Sequence, residues 1–97
     1  MTRRTPADVL APDAVDRALE RLDWERSGDE IVKVRRGRDF AASLSFVNAV
    51  GALAEAMDHH PDIEIRWNVV SLHLSTHSAG GITDLDLALA GRIDALG

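Results

Sequence analysis

The chain has no cysteine among its 97 residues. Disulfides, thiolate metal sites and thiol nucleophiles are thereby excluded, which fits a reducing compartment. Long apolar runs are missing too. The longest is four residues, Leu87 to Ala90, against the roughly 20 that a bilayer-spanning helix needs, so no membrane span is expected. Arg3 and Arg4 are not followed by an apolar stretch, so no signal peptide is expected either. Positive charge is in deficit, 11 Lys and Arg against 16 Asp and Glu, a net charge of -5. That balance disfavours wrapping a phosphate backbone, and no nucleic-acid partner is expected. No repeat or low-complexity segment occurs. A cytoplasmic location is expected, and the 45% hydrophobic residues are enough for one core in one domain spanning residues 1–97. Residues 1–11 read as a loosely ordered arm.

The apolar pattern then supplies elements. Pro12 and Asp13 suit a helix start, and Val15, Ala18, Leu19 and Leu22 follow as one stripe. Trp24 is expected to begin a strand, Ser27-Gly28-Asp29 to turn, and residues 30–36 to form the partner strand, with Gly37 breaking it. A long helix is predicted over about residues 39–58. Its stripes, Phe40, Leu44, Val47, Ala54 and Phe46, Val50, Leu53, Met57, predict a broad face buried against a sheet. Pro61 forbids helix at its own N–H and biases His60 toward extended backbone. Strict alternation through Ile63, Ile65 and Trp67, then Val70, Leu72, Leu74 and Thr76, predicts two half-buried strands with a bend at Asn68. Ser78 to Gly81 reads as a loop. Thr83 caps a last helix whose stripe is Leu85, Leu89, Ile93 and Leu96. Strands without helical crossovers predict an α+β fold, an antiparallel sheet with the helices on one face.

The chemistry concentrates where the long helix stops. The chain has four histidines, and two of them, His59 and His60, stand side by side there. A helix C-terminus carries partial negative charge and prefers cations, yet Glu55 and Asp58 occupy the last turn. A carboxylate and a helix C-terminus both favour the protonated form of a neighbouring imidazole, so His59 suits acid chemistry. Side chains of adjacent extended residues diverge, so His59 and His60 cannot duplicate one role. His77 ends the last strand beside a Gly-Gly loop, on the face of Ser75 and His73; His73 reads as surface. The histidines with Asp58 supply enough ligands for a metal, but their spacing matches no zinc signature, so no metal is expected. Thr83-x-x-Asp86 reads as a capping box with Asp in place of Glu or Gln.

Together these residues resemble the pterin-4a-carbinolamine dehydratases. The resemblance rests on Glu55, Asp58-His59-His60-Pro61, Trp67-Asn68, Ser75-Thr76-His77, the following Gly-containing loop, and Asp86 in the last helix. It covers about residues 40–95 closely. It implies a four-stranded antiparallel sheet with helices packed on one face, in a homodimer or homotetramer whose sheet continues across a subunit contact. It implies dehydration of a 4a-hydroxytetrahydropterin, the spent cofactor of aromatic amino-acid hydroxylases, to the quinonoid dihydropterin, in tetrahydrobiopterin-type recycling. The small-molecule pterin is then the substrate, and no cofactor is required. His59, His60 and His77 are the implied catalytic and substrate-contacting residues. His59 and His77 are expected to do the proton work and His60 mainly to hold the pterin. Glu55, Asp58, Ser75, Thr76 and Asp86 are expected to bind or position, and Trp67 to pack at the pocket edge. Ile63 stands where many members have an aromatic. The competing expectation is a non-catalytic dimerisation or interaction protein on the same fold. It predicts dispensable histidines and an exposed apolar helix face.

Overall fold

The structure, a computed structural model, describes residues 8–97. The arm expected at residues 1–11 lies mostly outside the described residues. Its end is fixed: Leu10 is buried and its N–H donates to the Ile82 carbonyl at 2.9 Å. Helix α1 spans Pro12–Leu19, β1 Glu25–Ser27, β2 Glu30–Arg36, α2 Phe40–Met57, β3 Asp62–Arg66, β4 Val69–Leu74 and α3 Asp84–Asp94. The four strands form one antiparallel sheet in the order β1-β2-β4-β3. The fold is α+β, as the pattern of elements predicts.

Register decides which side chains share a face. Ile31 stands opposite Leu74, and Leu72 stands between Lys33 and Ile63. This face carries the core: Ile31, Val70, Leu72 and Leu74 are buried with Val15, Phe46, Val50, Leu89 and Ile93 from the helices. The opposite face carries Glu30, Val32, Val34, Ser71, His73, Ser75, Asp62 and Glu64 by the alternation of the same register.

Three expectations need correcting. Trp24 is buried but precedes β1 rather than beginning it. The long helix buries only part of its two stripes: Phe46, Val50 and Ala54 are inside, whereas Phe40 and Leu44 are 47% and 42% exposed. Helix α2 is also long and apolar enough to cross a bilayer, with mean hydropathy 1.4, although no unbroken apolar run suggested it. Here it packs on β4 and α3. The alternation fails at Trp67, which has φ 51° and is 65% exposed. It occupies the β3–β4 turn with Asn68. That turn is held down from α2's end of the molecule: Ser43 Oγ donates to the Trp67 carbonyl at 2.7 Å, and Gly37 and Asn68 exchange hydrogen bonds of 2.7 and 3.0 Å.

At the far end of α3, Asp94 gathers three donors. Its Oδ1 accepts from Lys33 Nζ at 2.8 Å and Trp24 Nε1 at 2.9 Å, and its Oδ2 from the Asp23 N–H at 2.8 Å. The network ties α3 to β2 and to the segment entering β1. Burial alone would lower the Lys33 pKa, but its hydrogen bonds to Asp94 and Asp23 and their charges outweigh it and hold the ammonium above its ordinary value of 10.5. A raised folded-state value means that this stabilisation is full below the unfolded value and fades as pH rises through the folded one.

Helix α2 ends without glycine. The His59 N–H donates to the Ala54 carbonyl at 3.0 Å, five residues back, and Asp58 has φ 49° and ψ 44°. This is the closure of a Schellman motif, with Asp in the left-handed position that Asp tolerates better than most side chains. The acid at a helix C-terminus, unfavourable toward the dipole, thus has a backbone reason.

Stability outcomes follow for three residues. Asp94→Ala should cost about 2 kcal/mol in urea unfolding at neutral pH, since it leaves the Trp24 indole N–H without its acceptor and leaves the Lys33 ammonium with Asp23 alone. Asp13→Ala, which removes an exposed 3.8 Å pair with Arg17, should stay within about 0.5 kcal/mol. The wild-type advantage over Asp94→Ala should narrow above pH 10.5; a gap constant to pH 12 would contradict the Lys33 assignment. Asp58→Gly should leave stability unchanged or raise it by up to about 1 kcal/mol, and Asp58→Val should lower it by about 1–2 kcal/mol.

Candidate active site

The end of α2, the start of β3, the end of β4 and the start of α3 meet at one end of the sheet. The turn at Asp58 and the rigid Pro61 bracket the two histidines, and their rings diverge. His59 turns inward: its side chain is 10% exposed, and Nε2 lies 2.6 Å from Oδ1 of Asp86, which has no exposed surface. His60 turns outward. Its side chain is 54% exposed, and Nε2 lies 2.6 Å from Oε2 of Glu55, one helical turn back. The two rings diverge as side chains of adjacent extended residues do, one packed and one facing out.

Asp86 is reached from β4 as well. Thr76 Oγ1 donates to Asp86 Oδ2 at 2.9 Å and lies 2.7 Å from Thr83 Oγ1. The Thr83 N–H also donates to Asp86 Oδ2, at 2.9 Å, and the Thr83 hydroxyl accepts from the Leu85 N–H at 3.2 Å. The capping box is therefore present, and its acid serves His59 at the same time. Thr76 and Thr83 are 5% and 0% exposed. Every polar side-chain atom of Thr76 and Asp86 is already engaged inside the protein.

His77 follows Thr76 directly. The Thr76 N–H donates to the Gly81 carbonyl at 2.9 Å, which folds residues 77–80 into a tight loop, with Gly80 at φ 82°. His77 is exposed at its start; its carbonyl accepts from the Gly80 N–H at 3.2 Å, and among the described residues its ring has no hydrogen-bond partner. With Ser27, Asp29, Glu30 and Ser75 it lines an open hollow of about 300 Å³. Ser75 Oγ donates to the Asp29 carbonyl at 2.8 Å, which ties β4 to the β1–β2 turn and shapes the hollow's wall. The β3–β4 register places Asp62 opposite His73. Continued by two residues, it brings His60 to the level of Ser75.

His73 is half-buried and lies 2.7 Å from Glu30 through Nδ1; it is a member of the open sheet face rather than a free surface residue. Glu30 thus belongs to this pair and also lines the hollow. Only strand register reveals Glu30 here. Thr83 could have been found, since a capping residue seven positions beyond a strand-end Thr is visible in the sequence. Asp58 is exposed, and the role the structure gives it is that of its backbone. Trp67 is not brought to the site. It lies beyond the far end of β3, five residues and roughly 17 Å of strand away, so in this chain it does not form the pocket edge expected of it. Among the described residues no three His, Asp or Glu side chains group as a metal's ligands would.

Comparison with known proteins now bears on this geometry. A family model described as Pterin 4 alpha carbinolamine dehydratase matches residues 8–96. A relative from Nocardia farcinica that carries the family's name is 47% identical over 90 residues, covering 92% of this chain and 95% of its own length. One from Chloroflexus aurantiacus is 46% identical over 96 residues, covering 99% and 98%. Among solved structures, a transcriptional coactivator/pterin dehydratase from Brucella melitensis superposes with TM-score 0.87 at 29% identity, covering 92% of this chain and 98% of its own. A pterin dehydratase-like protein described as a RuBisCO assembly factor in the alpha-carboxysome superposes with TM-score 0.61 at 25% identity, covering 77% and 87%. With a family model matched over nearly its whole length and relatives that align end to end, the chain belongs to the pterin-4a-carbinolamine dehydratase family.

Proposed function

We propose that this protein dehydrates a 4a-hydroxytetrahydropterin to the quinonoid dihydropterin by histidine acid–base chemistry, in recycling of a tetrahydrobiopterin-type cofactor. The observation that supports it is the division among three imidazoles at one end of the sheet: two reachable, one buried and anchored. The reaction needs little else. The C4a–O bond breaks, and the hydroxyl leaves as water with a proton from an acid. The N5–H proton passes to a base, and the N5–C4a double bond forms. No net proton is consumed, and groups that titrate near neutrality suit both transfers.

Exposure argues for a division of labour different from the one expected from the motif alone. A group that exchanges protons with a substrate must reach it. His60 and His77 are exposed, and Glu55 is placed to orient and charge-balance the His60 ring at 2.6 Å. We therefore assign the proton transfers to His60 and His77. His59, whose Nε2 is held by Asp86, takes the holding role. The hollow beside His77, about 300 Å³, is at the lower end of small-molecule sites.

A second reading has its own observation. Phe40 and Leu44 leave an apolar strip of α2 exposed, and one structural relative is described as an assembly factor. The strip supports self-association into a homodimer or homotetramer, or service as an interaction protein. The assay separates the two functions. Folded wild-type protein should accelerate dehydration of synthetic 4a-hydroxytetrahydropterin. His60→Ala and His77→Ala should each lower the rate by roughly 10²–10⁴-fold, and both variants together by no less. A wild-type rate equal to the uncatalysed one would overturn the dehydratase reading and leave the interaction protein. Full activity in His60→Ala would overturn the assignment of its proton role.

A further inference from the structure

We infer that the hydroxyls of Thr83 and Thr76 form a one-directional chain from the start of α3 that fixes His59 as its Nε2–H tautomer, with Nδ1 turned toward the site as a hydrogen-bond acceptor. The direction follows from counting protons. A hydroxyl has one to give. Thr76 gives its proton to Asp86 Oδ2, so in the 2.7 Å contact between the two hydroxyls Thr83 is the donor. Thr83's oxygen is free to accept, and it does so from the Leu85 N–H at 3.2 Å. The order is therefore Leu85 amide, Thr83, Thr76, Asp86, and none of the links can be reversed without orphaning a buried group.

The carboxylate at the end of this chain receives two donors on Oδ2, the Thr76 hydroxyl and the Thr83 amide, each at 2.9 Å. It also sits in the first turn of α3, where the helix dipole favours negative charge. Donors of this kind keep a carboxylate charged and accepting. The proton in the 2.6 Å contact with His59 then resides on Nε2. A neutral His59 has Nδ1 bare. Among the described residues no fully buried side-chain nitrogen or oxygen lacks a partner, and Nδ1 of His59 has none, so it retains contact with solvent. A fixed acceptor at that position suits the N–H groups of a pterin ring.

Thr76 and Thr83 are thus positioning residues that act through Asp86 and His59. The consequence for substrate rests on the dehydratase reading; the tautomer does not. The test is ¹⁵N NMR of histidine-labelled protein, in which the two ring nitrogens of His59 report protonation directly. In the pH range where the His59 ring is neutral, wild type should show a protonated Nε2 and a bare Nδ1. Thr76→Val, which keeps shape and removes the hydroxyl, should give a mixture of tautomers, and Thr76→Ser should restore one. Thr83→Val should shift the same signals less, since Asp86 Oδ2 keeps both the Thr76 hydroxyl and the Thr83 amide as donors. In the dehydration assay Thr76→Val should raise KM about tenfold while kcat changes less than threefold. Wild-type protein whose neutral His59 carries its single proton on Nδ1 would overturn the inference without any variant having to fold. So would Thr76→Val spectra that match wild type. An inactive wild type with the stated tautomer would instead defeat the functional reading and leave this one standing.

Discussion

A carboxylate with no solvent contact must find all its donors within the protein, and Asp86 is such a group. Its donors come from His59 at the end of α2, Thr76 after β4, and the amide of Thr83, the residue that caps α3. Satisfying it brings those three chain segments together. The β3–β4 hairpin lies between His59 and Thr76, so the same bonds close its open end. Its other end is closed by the hydrogen bonds from Gly37, Ser43 and Asn68 around the Trp67 turn. The hairpin is therefore pinned at both ends by polar contacts, while its middle is held by the buried row Val70, Leu72 and Leu74. A register slip would break both pins and turn that row to solvent at once.

The two adjacent histidines owe their different fates to backbone. The left-handed turn at Asp58 ends α2, and Pro61 keeps the next residues extended. Successive side chains then point apart. One ring meets the buried carboxylate and the other meets Glu55 at the surface. The pair is thus an anchored imidazole beside a reachable one, a fixed distance apart along a stiff segment. A flexible loop could bring two histidines together but could not hold them in unlike environments.

Much of this was legible beforehand, for physical reasons that can be named. Strand β4 was visible because one face is buried and the other is not, so side-chain type alternates with a period of two; β3 shows the same alternation although Ile63 is 40% exposed and only Ile65 is half-buried. Helix α3 was visible from Thr83 and Asp86, whose capping chemistry is local. The site motif was legible through its resemblance to a family rather than through periodicity. What escaped was non-local. The reading of Trp67 as a pocket wall failed because adjacency in sequence to the histidine segment was taken for adjacency in space; a strand's length separates them. Glu30 escaped because its place beside Ser75 depends on strand register. The exposure of Phe40 and Leu44 escaped because an apolar stripe on a helix does not say what covers it.

The same fold appears in relatives described as a dehydratase and coactivator, and as an assembly factor, so architecture alone does not decide function. The features that would decide it differ in what they require. An assembly or docking role needs exposed surface, which α2 supplies whatever stands at its far end. Acid–base catalysis needs imidazoles that are held in place and yet reachable, which is demanding to maintain: burying His59 beside Asp86 calls for two threonine hydroxyls and an amide in support. A fold that only had to be stable could replace this buried polar set with apolar side chains of similar volume at little loss. The chain instead keeps every member of the network, and keeps two exposed imidazoles beside it. That combination is the physical argument for chemistry at this end of the sheet.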